Sequence, residues 1–194
     1  GKEVSYAKFN RDVDGIIRYL SESNVRYGNR VAWLGFNHYI AVEIFFACAA
    51  IGAVFVPINW RLSADEIDGI LEDCNPSLIV FQDKDFQEGL NYKYKDMVSL
   101  STLIEKASNG YLNKISHDCG PTEDSIVLIS YTSGSTGKPK GVMINQLAIY
   151  SNYQMSVEAH SLTENDSLLN VLPIFHVGGL NILVTAGLLV GARV

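Results

Sequence analysis

Cysteine is scarce in this chain. The three present among 194 residues, Cys48, Cys74 and Cys119, are odd in number, far apart and without a C-x-x-C pair, which argues against a disulfide framework and against a zinc site. The expectation is a reducing, cytoplasmic setting and no metal-ligating set. Positive charge is scarce as well: 15 Lys and Arg against 21 Asp and Glu leave a net charge of −6, whereas a nucleic-acid partner calls for clustered basic side chains. Any anion site must therefore be local. Long apolar runs are also missing, since the longest candidate, IAVEIFFACAAIGAVFVPI at 40–58, is interrupted by Glu43, Gly52 and Pro57. It reads as a buried helix followed by a buried strand, not as a transmembrane segment. The opening GKEVSYAKFNRDVDG is charged and has no apolar segment of the kind a signal peptide carries. No internal repeat or low-complexity tract is present.

What the chain does have is 47% hydrophobic residues, enough for a sizeable core. Val13, Ile16, Ile17 and Leu20 recur at helical spacing, and 30–34 follows as a short strand. Asn37 is placed to cap a second helix running through Ile51, with Gly52 ending it and AVFVPI as the next strand. In RLSADEIDGILEDCNPS, Ser63 and Glu66 match a capping box, Ile67, Ile70, Leu71 and Cys74 form one apolar stripe, and Pro76 precedes the strand SLIVF. A weaker helix is expected near SLSTLIEKA. The polar stretch SNGYLNKISHDCGPTED marks a candidate internal boundary at 107–124. Beyond it, SIVLISY reads as a buried strand, Asn145 as the cap of a helix through about Ala159, SLLNV as a strand ended by Pro173, and LNILVTAGLLV as a final apolar helix. Alternation of this kind predicts the α/β class, with a largely parallel sheet flanked by helices.

The stretch YTSGSTGKPKG, residues 131–141, carries the chemistry. Phosphate oxygens require several donors converging from one side, which consecutive backbone N–H groups supply where glycine lets the ligand approach. Gly134 and Gly137 meet that need, the hydroxyls of Thr132, Ser133, Ser135 and Thr136 add adjustable donors, and lysine adds a compact positive charge. The pattern is not a Walker A loop: Thr132 stands where that loop needs glycine, and Pro139 follows the Gly-Lys pair where it needs Ser or Thr. A solvated linker is the competing reading of the composition. The buried strand directly before the stretch favours a ligand loop.

YTSGSTGKPKGV resembles the signature of the AMP-forming adenylate enzymes, a superfamily of acyl-CoA synthetases, adenylation domains and firefly-type luciferases. LPIFHVGGL at 172–180 is similar to the next motif of that family, and GAVFVPINWRLSADEI at 52–67 to the segment before both. VSYAKFN and GNRVAWLG also have family-like counterparts, so the likeness spans almost the whole chain. The resemblance implies that residues 1–194 form the N-terminal portion of the large AMP-binding domain, with the smaller C-terminal domain outside this sequence; the Gly1 start and the apolar GLLVGARV end fit a piece of a longer protein. It implies that ATP's β- and γ-phosphates are held by Thr132, Ser133, Gly134, Ser135, Thr136, Gly137 and Lys140, and that His176 lies near the bound carboxylate and adenylate. A structural histidine at a strand end is the alternative for His176, and Asn59, Trp60 and Arg61 are read as structural.

The implied reaction is activation of a carboxylic acid with ATP and Mg²⁺, followed by transfer of the acyl group to CoA, as in an acyl-CoA synthetase of fatty-acid metabolism. The residues implied to complete the reaction fall after Val194, so this chain alone is expected to be inactive. Two alternatives stay open: an adenylation domain loading an amino or aryl acid onto a carrier protein, and a non-catalytic nucleotide-binding module. The acid, the oligomeric state and any peripheral attachment to a membrane are not indicated by these residues. Gln146 stands where family members often have a histidine, a departure that bears on substrate handling, and GNRV replaces the commoner G-D-R-V.

Overall fold

The computed structural model describes residues 3–83, 86, 94, 96–108, 120–132 and 139–194. Its strands are β1 (Arg30–Leu34), β2 (Val54–Ile58), β3 (Leu78–Phe81), β4 (Met97–Ser99), β5 (Ile126–Thr132) and β6 (Lys140–Asn145). They form one sheet in the order β4-β3-β1-β2-β5-β6. Among the described residues, every neighbouring pair from β4 to β5 is parallel, and only β6 runs antiparallel, against β5. The α/β, largely parallel architecture expected from the sequence is the one observed.

The helices are α1 (Tyr6–Glu22), α2 (Tyr39–Ile51), α3 (Ala64–Cys74), α4 (Leu100–Ser108), α5 (Gln146–His160) and α6 (Val184–Val190). Alternation along the strands divides the core. Val31 and Trp33 of β1, Phe55 of β2 and Val80 of β3 pack with α1, α2 and Leu103 of α4 on one face, while Ala32, Leu34, Val56, Ile58 and Ile79 meet the apolar stripe of α3 on the other. A period of two in the strands thus meets helices on both sides. Helix α2 is buried on nearly every side, through Ile40, Ala41, Ile44, Phe45, Ala47 and Cys48, as its largely apolar composition requires.

Caps explain the helix ends. Ser63 and Glu66 form the expected capping box at α3, and the Asn145 side chain accepts from Ala148 N–H at α5. At the other end of α3, the Arg30 guanidinium donates to the carbonyls of Cys74 (2.6 Å) and Asn75 (2.7 Å), closing carbonyls that the helix cannot satisfy itself.

Three expectations fail. The N-cap of α2 is His38, whose Nδ1 accepts from Ile40 N–H, and not Asn37. SLLNV joins no strand of the sheet: Ser167 makes an isolated bridge to Arg193, and Leu169 and Val171 are exposed at 80% and 77%. The final helix is not continuous, because a π-helical turn at Gly178–Ile182 precedes α6. Most of the candidate boundary at 107–124, namely 109–119 with Cys119, lies outside the described residues.

Candidate functional site

The hydroxyl-rich stretch follows β5, as its position after SIVLISY required, but the chain then returns as β6 before reaching a helix. Residues 133–139 therefore connect the two strands of an antiparallel hairpin. Thr132 and Lys140 are register partners at its mouth, and both are exposed. The predicted phosphate donors Ser133, Gly134, Ser135, Thr136 and Gly137 lie outside the described residues. A lysine facing a threonine across a hairpin mouth places one positive charge and one hydroxyl donor together, the pair that an incoming phosphate oxygen uses.

Because β1 to β5 are mutually parallel, their carboxyl ends share one edge of the sheet, the edge where open α/β sheets bind ligands. Thr132 ends β5 there. Asn37 and Asn59 follow the ends of β1 and β2 at the same edge. Asn37 grips the 172–176 segment with both ends of its amide: Nδ2 donates to Leu172 carbonyl at 2.8 Å, and Oδ1 accepts from Ile174 N–H at 3.0 Å. The residue taken for a helix cap instead fixes the LPIFH motif to β1. A short polar side chain after a strand suits either task, and only the long-range partner distinguishes them.

His176 is exposed on this segment. Its backbone N–H donates to Pro173 carbonyl, and its own carbonyl accepts from Gly179 and Leu180 N–H groups, opening the π-helical turn. Gly179 must be small: a Cβ there would lie 2.0 Å from the Pro173 carbonyl oxygen. The His176 ring sits beside that of Phe175, with centroids 4.7 Å apart. The Arg61 guanidinium lies over Phe175 (5.8 Å) as well as Trp60 (5.1 Å). The structural reading of Asn59 fits its acceptance of the Arg61 N–H at 3.0 Å. Arg61 and Trp60 do more, joining the end of β2 to the ring next to His176, and the sequence carried no signal for that pairing.

Gln146 has a structural task, since its Nε2 donates to the carbonyl of Ala49 near the end of α2. Asn29 of GNRV likewise closes its own turn by accepting from Arg26 N–H. Among the described residues no group of three or more His, Cys, Asp or Glu side chains comes together to hold a metal ion. The Mg²⁺ expected with ATP has no fitted site in this set, and no step is assigned to it. Among the described residues, too, no helix is long and apolar enough to cross a membrane.

Residues 1–194 match the family model described as AMP-binding enzyme. An indoleacetate–CoA ligase of Aromatoleum aromaticum is 36% identical over 205 residues, covering 100% of this chain and 40% of that protein. A long-chain-fatty-acid–CoA ligase of Thermus thermophilus is 33% identical over 200 residues, covering 98% of this chain and 37% of that protein. The crystal structure of ATP-bound MatB from Rhodopseudomonas palustris superposes with a TM-score of 0.86 at 24% identity, over 100% of this chain and 40% of that one, a likeness of fold. The chain thus spans about 40% of the length of the relatives it matches.

Proposed function

We propose, since this chain belongs to the AMP-binding enzyme family, that the complete protein is an acid–thiol ligase acting through an acyl-adenylate. In this reading a carboxylate oxygen attacks the α-phosphorus of ATP and pyrophosphate departs. The CoA thiol then attacks the acyl carbon, giving a thioester and AMP. Thr132 and Lys140, with Ser133, Gly134, Ser135, Thr136 and Gly137 between them, hold the β- and γ-phosphates. Fixed donors of this kind act by positioning the leaving group and stabilising its developing charge. His176, held by the Asn37 clamp on 172–174 and flanked by Phe175, faces the carboxylate and the adenylate.

The observation that carries the reading is the in-register pairing of Thr132 with Lys140 at the mouth of the hydroxyl-rich hairpin. The acid belongs to the aryl- and fatty-acid range that the relatives' names span, and the compartment is the cytoplasm. The test is exchange of labelled pyrophosphate into ATP by the complete protein with Mg²⁺ and a panel of aryl and aliphatic acids, followed by thioester formation with CoA. Acid-dependent exchange is expected, and Lys140→Ala should lower it by about tenfold or more, the cost of losing a charged hydrogen bond. The 194-residue chain by itself should give neither pyrophosphate nor thioester. Absence of exchange by the complete protein with every acid, or full turnover by the 194-residue chain, would overturn the reading.

A further inference from the structure

At the root of the hairpin, Tyr131 joins β5 to the carboxyl end of α3. Tyr131 pairs in register with Gly141, and its ring lies over that glycine: a Cβ there would come 2.8 Å from Ile129 Cγ2 and 3.1 Å from Tyr131 Cζ. Glycine at 141 lets the phenol pass across β6. The Tyr131 hydroxyl then donates to Asp73 Oδ2 at 2.5 Å, in the last turn of α3. β6 pairs with no strand other than β5 among the described residues, so this contact supplies a hold on the hairpin that the sheet ladder does not.

Helix α3 has no use of its own for a carboxylate at that place. The carboxyl end of a helix carries partial negative charge, which disfavours an acidic side chain, and Arg30 already satisfies the carbonyls of Cys74 and Asn75. The tyrosine, in turn, is held as a donor: burial, and then the bond to Asp73, push its hydroxyl pKa up.

We propose that Tyr131 and Asp73 form a tether that sets the position of Thr132 and Lys140, so that both are positioning residues for ATP. The inference rests on reading this hairpin as the phosphate-holding element. Thr132 follows Tyr131 and Lys140 precedes Gly141 in the chain, so fixing the 131–141 pair fixes the 132–140 pair next to it. Without the tether, ATP would have to order the strand ends itself, at a cost in affinity.

The experiment uses the complete protein and three single variants. Tyr131→Phe keeps the ring over Gly141 and removes the donor; Asp73→Leu removes the acceptor; Asp73→Asn retains an amide oxygen as acceptor. KM for ATP in pyrophosphate exchange should rise about tenfold in Tyr131→Phe and Asp73→Leu, with kcat within about twofold, while Asp73→Asn stays near wild type. The Tyr131→Phe/Asp73→Leu double variant should be no worse than either single one. Thermal midpoints should change little in Asp73→Leu, because relief of the unfavourable charge at the end of α3 offsets part of the lost hydrogen bond.

Amide hydrogen exchange without ATP gives a readout independent of activity: exchange at 131–132 and 140–141 should quicken in Tyr131→Phe and Asp73→Leu and not in Asp73→Asn. Unchanged KM and unchanged exchange would overturn the tether. So would Asp73→Asn behaving like Asp73→Leu, or a loss of kcat that follows a loss of thermal stability. Wild-type protein without acid-dependent pyrophosphate exchange would overturn the functional reading and the role in ATP positioning, and the hydrogen-exchange comparison would then decide the tether by itself.

Discussion

Replacing Glu43 by Gln should remove a pH dependence from the stability of this fold. Glu43 lies on α2 at 1% exposure, beside a cavity of about 40 Å³ where α1, α2 and α4 meet. The titratable groups facing it are Lys8 and Asp12 of α1 and Tyr39 of α2, while α4 contributes Leu103, Ile104, Ala107 and Ser108. Its Oε1 has no hydrogen-bond partner. Burial, and then the negative charge of Asp12, push the carboxyl pKa from 4.5 up to about 8, against the opposing pull of Lys8.

Between those two values the folded state keeps a proton that the unfolded chain has released. Stability must then fall as pH rises from about 4.5 to about 8, and the full penalty persists above that range. At about 1.36 kcal/mol per pH unit the ceiling is about 5 kcal/mol. Side-chain relaxation and water entry reduce it, so the expected loss is about 2–4 kcal/mol. The assay is urea unfolding at pH 5 and pH 8.5, followed by tryptophan fluorescence, to which the fully buried Trp33 contributes. Glu43→Gln should gain on wild type by that amount over the interval. Parallel pH dependences for the two proteins would refute the reasoning.

Two further outcomes follow from packing and capping. Gly179→Ala should lower the urea midpoint by the equivalent of about 1–3 kcal/mol, because its Cβ would sit 2.0 Å from the Pro173 carbonyl oxygen and neither backbone can yield cheaply; an unchanged midpoint would count against the close approach of the two segments. Ser63→Ala should cost about 1 kcal/mol through loss of the side-chain acceptor for Glu66 N–H at the start of α3, and a midpoint equal to wild type would show that Glu66 or solvent replaces the cap.

The fold was legible where local rules and tertiary packing agree. The stripe Ile67, Ile70, Leu71, Cys74 is buried as its spacing predicts, and the caps at Ser63 and Asn145 are observed. Legibility fails where a partner decides. β4 has three residues and exists through its pairing with β3. SLLNV has strand composition but finds no strand to pair with among the described residues, and in a sheet the ladder, not propensity, makes the strand. β6 went unread because KGVMIN looked like the tail of a motif, and it presents Val142 and Met143 to solvent, hiding the alternation that marks a half-buried strand.

If the hairpin holds phosphate as proposed, its geometry sets how the site works. A phosphate loop that opens a helix borrows the aligned N–H groups and partial positive charge of the helix end. Here β6 separates the loop from α5, whose N-cap at Asn145 is five residues past Lys140 in the chain, so the helix dipole does not reach the loop within a turn. On the proposed reading, charge comes from the lysines of the stretch, Lys138 and Lys140, and orientation from the hairpin. An isolated pair of strands is only marginally stable, and among the described residues β6 has one neighbour, so the hairpin has to be held by the body of the fold. The contacts that hold it are the β2–β5 pairing, the Gln146–Ala49 bond at the far end of β6, and the Tyr131–Asp73 bond beside the loop. Sequence patterns disclose the proposed donors because they are adjacent in the chain. The residues that hold the hairpin are scattered over 49 to 146 and become visible only as pairs.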